Sequence, residues 1–338
     1  MTKARVLLLC GGQSGEHEVS IASARSVLKA AGEQFSVSPV VISKSGKLLS
    51  LEDSQKALGQ GSTENLSSSG TLQTLSNDAY DVVFPLLHGP NGEDGSIQGM
   101  LKLMGLKFVG SDILGSAVGM DKLMMKSVFA AHDLPQIPYK RVLRSEWLSS
   151  PEKVLASLEV LTFPLFVKPA NLGSSVGISK ARNEKELVEA LNLAAQLDRR
   201  IIVEQGLEHP RELEVGVLGN DFPELSPVGE ISFASDFYDY ETKYTEGRAD
   251  LVIPASIDAS IAKECQELAL KAFAAIDGAG LARVDFFFDE PSGKLYLNEI
   301  NTMPGFTTTS MYPKLWEAAG VSYGELIVKL VNLALEAR

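Results

Sequence analysis

Leu281 to Thr307, LARVDFFFDEPSGKLYLNEINTMPGFT, is the stretch on which the fold turns. Phe286, Phe287 and Phe288, then Leu295, Tyr296 and Leu297, are residues that favour a pleated, buried sheet. Pro291, Ser292 and Gly293 between them are turn formers, so the stretch reads as two strands and a tight turn. Asp285, Glu299 and Asn301 interrupt the apolar pattern. Side chains alternate along a strand, which puts Glu299 and Asn301 on one face. If the loop is Pro291 to Gly293, Glu290 pairs with Lys294, and counting back sets Asp285 opposite Glu299 and Arg283 opposite Asn301 on that same face. A two-residue loop would turn Asp285 away. Two carboxylates and an amide oxygen converging there repel unless something positive lies between them. Hard oxygen ligands suit Mg²⁺, which keeps waters and shares its coordination with phosphates. The alternative is a metal-free strand end in which Arg283 simply pairs with Asp285.

Around this hairpin, 338 residues suffice for a sizeable core in two or three domains. A net charge of −12 argues against a nucleic-acid or anionic-membrane surface, which needs a basic face, but leaves room for a local phosphate pocket. Cys10 and Cys265 stand far apart and suggest neither a disulfide framework nor a metal cluster. The apolar run Val6 to Cys10 is too short for a signal-peptide core, and nothing approaches a membrane span, so the expected location is the cytoplasm.

The chain opens with a strand over Arg5 to Cys10, the turn Gly11-Gly12-Gln13-Ser14-Gly15, a helix from about Glu16 to Ala31 and a strand over Val37 to Ile42. That order predicts a doubly wound α/β domain. The glycines do not fall as G-x-G-x-x-G, which excludes a nicotinamide fingerprint. Glu16 at the helix entrance either answers the helix dipole or serves a site. Leu51 to Asn77 is rich in Ser, Gly and Gln and reads as a polar connection. Val82 to Leu87 is a buried strand that ends at His88, either a hydrogen-bonded structural histidine or a ligand group at the carboxyl end of a parallel strand.

After Gly119 the character changes, and Met120-Asp121-Lys122 opens a new helix to about His132. A strand over Phe163 to Val167 closes on Lys168-Pro169, followed by Ala170-Asn171-Leu172-Gly173-Ser174-Ser175-Val176-Gly177. Such a loop either presents backbone N–H groups to a phosphate tail or is a flexible surface turn. Asn183 caps a helix to Leu197, Ile201 to Gln205 is a strand carrying Glu204, and Glu212 and Glu214 share a face of the strand after it. Residues 232–250, with Phe237-Tyr238-Asp239-Tyr240-Glu241-Thr242-Lys243-Tyr244, form either a functional lid or a disordered loop.

Seven pieces, GGQSGEHEVS (11–20), HGPNGEDGSIQG (88–99), MDK (120–122), KPANLGSSVG (168–177), FYDYETKY (237–244), ARVDFF (282–287) and NEINTMPGFT (298–307), occur in an order that spans nearly the whole chain. Together they resemble the ATP-grasp enzymes, and within these the D-alanine:D-alanine ligase family. The resemblance implies an α/β and α+β protein: an N-terminal doubly wound parallel-sheet domain (1–121), then a two-part ATP-grasp fold made of a small central domain (122–213) and a C-terminal domain (214–338) with the lid loop 232–250. It implies two D-alanine substrates, ATP, two Mg²⁺ ions (Mn²⁺ as the substitute) on Asp285, Glu299 and Asn301, a homodimer, and a role in peptidoglycan precursor synthesis.

Carried over by motif, Lys122 and Lys168 contact the phosphates, Glu204 and Leu207 border the adenine, Glu212 takes the ribose hydroxyls, and Ser174 and Lys243 belong to the same ATP site. Relatives often carry a lysine after the adenine-side glutamate; this chain has Gln205. Arg283 and the Gly305 N–H form the oxyanion site, and Glu16 holds the first substrate's ammonium with His88 nearby. Ser310 and the Met311 backbone receive the second carboxylate. A Glu16–Ser174–Tyr244 link ties the loops across the site, and Tyr244 favours D-alanine over D-lactate as the second substrate. The competing expectations are another ATP-grasp carboxylate–amine ligase and a nucleotide-binding module without turnover.

Overall fold

A computed structural model describes residues 3–32, 34–61, 63, 66, 75, 78–173, 176–233 and 249–336. The first unit runs through β1 (Arg5–Gly11), α1 (His17–Ala31), β2 (Ser36–Ile42), α2 (Leu51–Gln60), β3 (Val82–Leu86), α3 (Ser96–Leu103) and α4 (Ile113–Met120). Its strands pair in parallel in the order β2-β1-β3. Val6 to Cys10 are all buried, as expected of a central parallel strand covered on both faces. Gly11 follows with φ 88°, and a Cβ there would lie 2.2 Å from the Ile42 carbonyl oxygen, so only glycine permits this exit toward α1.

The helix α2 corrects the expected polar connection from Leu51 to Asn77. Ser50 Oγ accepts from the Asp53 N–H at 3.1 Å, Gly61 closes the helix at φ 74°, and Ala57 and Leu58 turn inward. Good caps at both ends outweigh a thin apolar stripe. Past Gly61, that connection is described only at 63, 66 and 75.

Asp121 ends α4 and caps α5 (Lys122–Ala131), accepting from the N–H groups of Leu123 and Met124. Next come β4 (Tyr139–Leu143), α6 (Arg144–Ser149), α7 (Pro151–Leu158), β5 (Leu165–Pro169), β6 (Ser179–Ala181), α8 (Glu184–Leu197) and β7 (Arg200–Gln205). These strands form an antiparallel sheet in the order β4-β7-β5-β6, and Leu187, Leu191 and Ala194 of α8 pack on it. The third unit holds β8 (Arg211–Gly219), β9 (Glu224–Phe233), β10 (Ala249–Val252), α9 (Ala259–Ala275), β11 (Gly280–Asp289), β12 (Lys294–Asn301), α10 (Met311–Ala318) and α11 (Tyr323–Leu335). Its antiparallel sheet runs β10-β9-β8-β11-β12. The expected boundary between 213 and 214 therefore falls inside β8, and the link between the two antiparallel sheets is 206–210. α5, expected in the central domain, buries Met125 and Phe129 in the core of the third unit.

The hairpin arrives at the expected pairing by a different register. Asp289, not Glu290, pairs with Lys294, so the loop is one residue longer than expected. A bulge between Asp285 and Phe286 on one strand and Leu297 and Glu299 on the other restores the count, setting Asp285 opposite Glu299 and Arg283 opposite Asn301. Leu295, Leu297 and Ile300 all reach the core, a spacing that strict alternation cannot satisfy without an extra residue at Asn298.

The segment after β12 fastens the third unit to the first. Phe306 meets Phe84 of β3 edge-on at 5.7 Å, and Tyr312, Trp316, Leu326 and Leu330 join the core of the parallel sheet. The same two helices are apolar because they bury this face, and among the described residues no single helix is long and apolar enough to cross a membrane.

Candidate active site

A cavity of about 1100 Å³ opens where the three units meet. Its floor comes from the carboxyl ends of β1 and β3, where open parallel sheets present ligand-binding loops. Ser14 Oγ donates to the His88 carbonyl oxygen at 2.6 Å and ties those loops together. The Glu16 carboxylate does not cap α1. It reaches instead to the two glycine loops: a Cβ on Gly89 would lie 2.5 Å, and one on Gly173 2.8 Å, from Glu16 Oε2. Glycines at both places let this buried carboxylate sit against backbone from two units. That geometry favours a site role over the dipole alternative.

His88 is buried. Its Nδ1 lies 3.1 Å from the Met303 carbonyl oxygen and its Nε2 3.4 Å from Ser23 Oγ. Burial lowers its pKa against the pull of Glu16 and the Met303 carbonyl, and its two ring nitrogens bridge α1 and the segment after β12. Glu93, on the same loop, accepts from the Gly89 N–H at 2.7 Å. Burial and the neighbouring Glu16 charge push its carboxyl up to about 8.

The hairpin supplies the opposite wall. Arg283 donates from Nε and Nη2 to the two Asp285 oxygens, both at 2.7 Å, and its Nε lies 2.9 Å from Glu214 Oε2 on β8. Asn301 Nδ2 donates to Asp285 Oδ2 at 3.0 Å. Asp285 thus faces the same side as Glu299 and Asn301. Both sequence alternatives are present at once, the ion pair and the converging oxygens.

Lys122 donates to the Leu172 carbonyl oxygen at 2.6 Å, anchoring the start of the Gly-Ser loop. Lys168 does not stand alone: its Nζ is 2.5 Å from Glu204 Oε2, while Lys126 Nζ is 2.8 Å from Glu204 Oε1. Burial alone would raise the Glu204 carboxyl, but the two ammonium groups hold it at about 2. Lys168 also feels Glu299 and Glu212, which places the hairpin acids, Glu212 and this lysine within one field. Leu207 is half-buried in the link after β7.

Gly305 closes against Ser310, whose Oγ would lie 2.9 Å from a Cβ there. Ser310 precedes α10, accepts from the Thr307 N–H at 3.0 Å and leaves Met311 as the first helical residue at the cavity wall. Ser174, Lys243 and Tyr244, with 234–248 of the expected lid, lie outside the described residues.

The models of the D-ala D-ala ligase N-terminus and C-terminus match residues 5–111 and 128–332. The D-alanine–D-alanine ligase of Deinococcus radiodurans is 59% identical over 338 residues, 99% of this chain and 100% of the relative. The chain belongs to the D-alanine–D-alanine ligase family. Among solved structures, the VanG D-Ala:D-Ser ligase from Enterococcus faecalis superposes with a TM-score of 0.85 at 34% identity, covering 98% of this chain and 100% of that one. The D-alanine-D-alanine ligase from Coxiella burnetii gives 0.82 at 32% identity, with 99% and 94% covered.

D-alanine–D-alanine ligases use ATP, which brings in Mg²⁺. Among the described residues no cluster of three or more His, Cys, Asp or Glu forms a ready metal cage. The donor set fits the ion nonetheless, because Mg²⁺ is usually held by one or two carboxylates plus phosphates rather than by a closed protein site. Asp285, Glu299 and Asn301 bring hard oxygen donors to one face, where Arg283 bonds Asp285 and Glu214. Two charged side chains in contact with the expected site residues escaped the sequence reading. Lys126 had a signal: a lysine four residues after Lys122, on the stripe shared with Leu123 and Phe129. Glu93 carried none beyond its place in the loop.

Proposed function

We propose that this cavity joins two molecules of D-alanine into D-alanyl-D-alanine, driven by ATP, as a step in making peptidoglycan precursors. The observation that carries the reading is the convergence of Glu16, Arg283, Glu299, Asn301 and the start of α10 on one cavity, with Asp285 bonded to Arg283 and Asn301. The first D-alanine sets its ammonium on Glu16, beside His88. Lys122 and Lys168 hold the ATP phosphates as flexible point charges, with Ser174 and Lys243 in the same ATP site. Glu204 and Leu207 border the adenine, and Glu212 takes the ribose.

The first carboxylate attacks the γ-phosphorus, the bond to the ADP oxygen breaks, and an acyl phosphate results. Such a transfer depends on positioning and charge neutralisation more than on covalent help from the protein. Mg²⁺ held by Asp285, Glu299 and Asn301 supplies charge neutralisation there when bound. The second amine then attacks the acyl carbon, and phosphate leaves from a tetrahedral intermediate. Arg283 and the Gly305 N–H face the developing oxyanion. The second carboxylate rests on Ser310 and the Met311 N–H, where the helix start favours an anion. Ser174 and Tyr244 are the proposed catalytic partners of Glu16.

The structural likeness to a D-Ala:D-Ser ligase gives a second reading in which D-serine is the nucleophile. ATP-dependent phosphate release measured with D-alanine alone, then with D-alanine plus D-serine, D-lactate or L-amino acids, separates the readings. D-alanine alone should support full turnover. Release that requires D-serine or another co-substrate would replace the proposal.

A further inference from the structure

We propose that Lys126 is the positioning residue of the nucleotide site: it keeps the Glu204 carboxylate compensated, so that Lys168 can offer its ammonium to a phosphate. The inference rests on the reading of Lys168 as a phosphate ligand. Glu204 meets two cations at bonding distance, Lys126 at 2.8 Å and Lys168 at 2.5 Å, one more than a carboxylate needs for neutrality. The two differ in freedom. The Lys126 side chain is 2% exposed, its Nζ lies 5.6 Å from the centre of the Tyr139 ring, and its helix is locked on both flanks. Met125 and Phe129 anchor that helix in one core, and Leu123 packs on Ala170 and Ile202 in another.

The Lys168 side chain is 11% exposed and lies in the field of Glu299 and Glu212 beyond Glu204. A lysine that moves toward a triphosphate weakens its contact with its own carboxylate. Were it the sole partner, the move would strand a buried charge, which is strongly unfavourable. A second, immobile lysine removes that obstacle.

The test uses the full chain carrying Lys126→Met, with Lys126→Gln as the milder variant should the first fail to fold. We expect KM for ATP to rise about tenfold or more, the order of 1.4 kcal/mol per decade, while KM for D-alanine stays within about twofold. In a Glu204→Gln background the carboxylate that Lys126 serves is gone, so the same substitution should leave KM for ATP unchanged or lower it, a non-additive cycle. An unchanged KM for ATP in folded Lys126 variants overturns the proposal. So does an equal effect in both backgrounds, or a parallel loss in both substrates with a lowered Tm, which is the mark of a purely structural lysine. Lys168→Met tests the underlying reading separately. If that variant leaves KM for ATP untouched, the phosphate-site reading fails whatever Lys126 does.

Discussion

The two charged clusters of this protein are near inversions of each other. Beside β7, one carboxylate, Glu204, is held between two ammonium groups. On the β11–β12 face, one guanidinium, Arg283, is bonded to two carboxylates, Asp285 and Glu214, with Glu299 opposite Asp285. The first gathers ammonium groups around a carboxylate and the second carboxylates around a guanidinium. A nucleotide triphosphate with its cation needs both, ammonium for its oxygens and carboxylate for its metal. The contrast teaches that the two clusters present complementary donors, ammonium on one side and hard carboxylate oxygen on the other.

The largest test of that contrast removes a charge from the acidic side. Glu299→Gln preserves shape and hydrogen bonding while removing one of the carboxylates that would hold Mg²⁺. ADP formation should fall by about 10³-fold or more, with unchanged Tm. Undiminished turnover would dismiss the acidic face as a metal site. Arg283→Lys comes next. It keeps the charge but loses the two-pronged bond to Asp285 and the fixed donor proposed for the oxyanion, and kcat should drop about 10²-fold. A drop confined to KM for ATP would move Arg283 from the acyl-transfer step to nucleotide binding.

Much of this was legible in the chain. The strand–glycine–helix–strand opening gave the parallel unit because Val6 to Cys10 form an unbroken apolar run that only a doubly covered strand can bury. The acids of the hairpin were placed correctly although the loop length was not. The longer loop and the bulge at Asn298 each shift the count by one and cancel at Asp285. The bulge had its own signal, the spacing of Leu295, Leu297 and Ile300, which departs from a period of two. The α2 helix was missed because its periodicity is weak and its caps decide the matter. The pairing of Lys168 with Glu204 was out of reach. Phe166 opposes Glu204 across β5 and β7, and which neighbouring lysines then find the carboxylate depends on how α5 packs over both strands.

Glu93 makes the smallest test and the sharpest comparison with Glu204. Both are glutamates in enclosed surroundings, yet burial and the Glu16 charge push the first up to about 8, while two lysines hold the second at about 2. The sign of the linkage follows. A carboxyl whose folded pKa exceeds its unfolded value, ordinarily near 4.3, keeps a proton in the native state that the unfolded chain releases. Its contribution to stability is complete below the unfolded value and is lost progressively as pH rises toward about 8. Glu93→Gln cannot release that proton and keeps a hydrogen-bonding group beside the Gly89 N–H. Relative to the wild type, its Tm should therefore climb between pH 5 and 8.5, by about 3 °C at the upper end. Glu204→Gln should show no such climb in that window, because Glu204 is ionised in both states throughout it. Parallel profiles for wild type and Glu93→Gln would mean that Glu93 is ionised beside Glu16, and that some cation near the strand ends compensates the pair as Lys126 and Lys168 compensate Glu204.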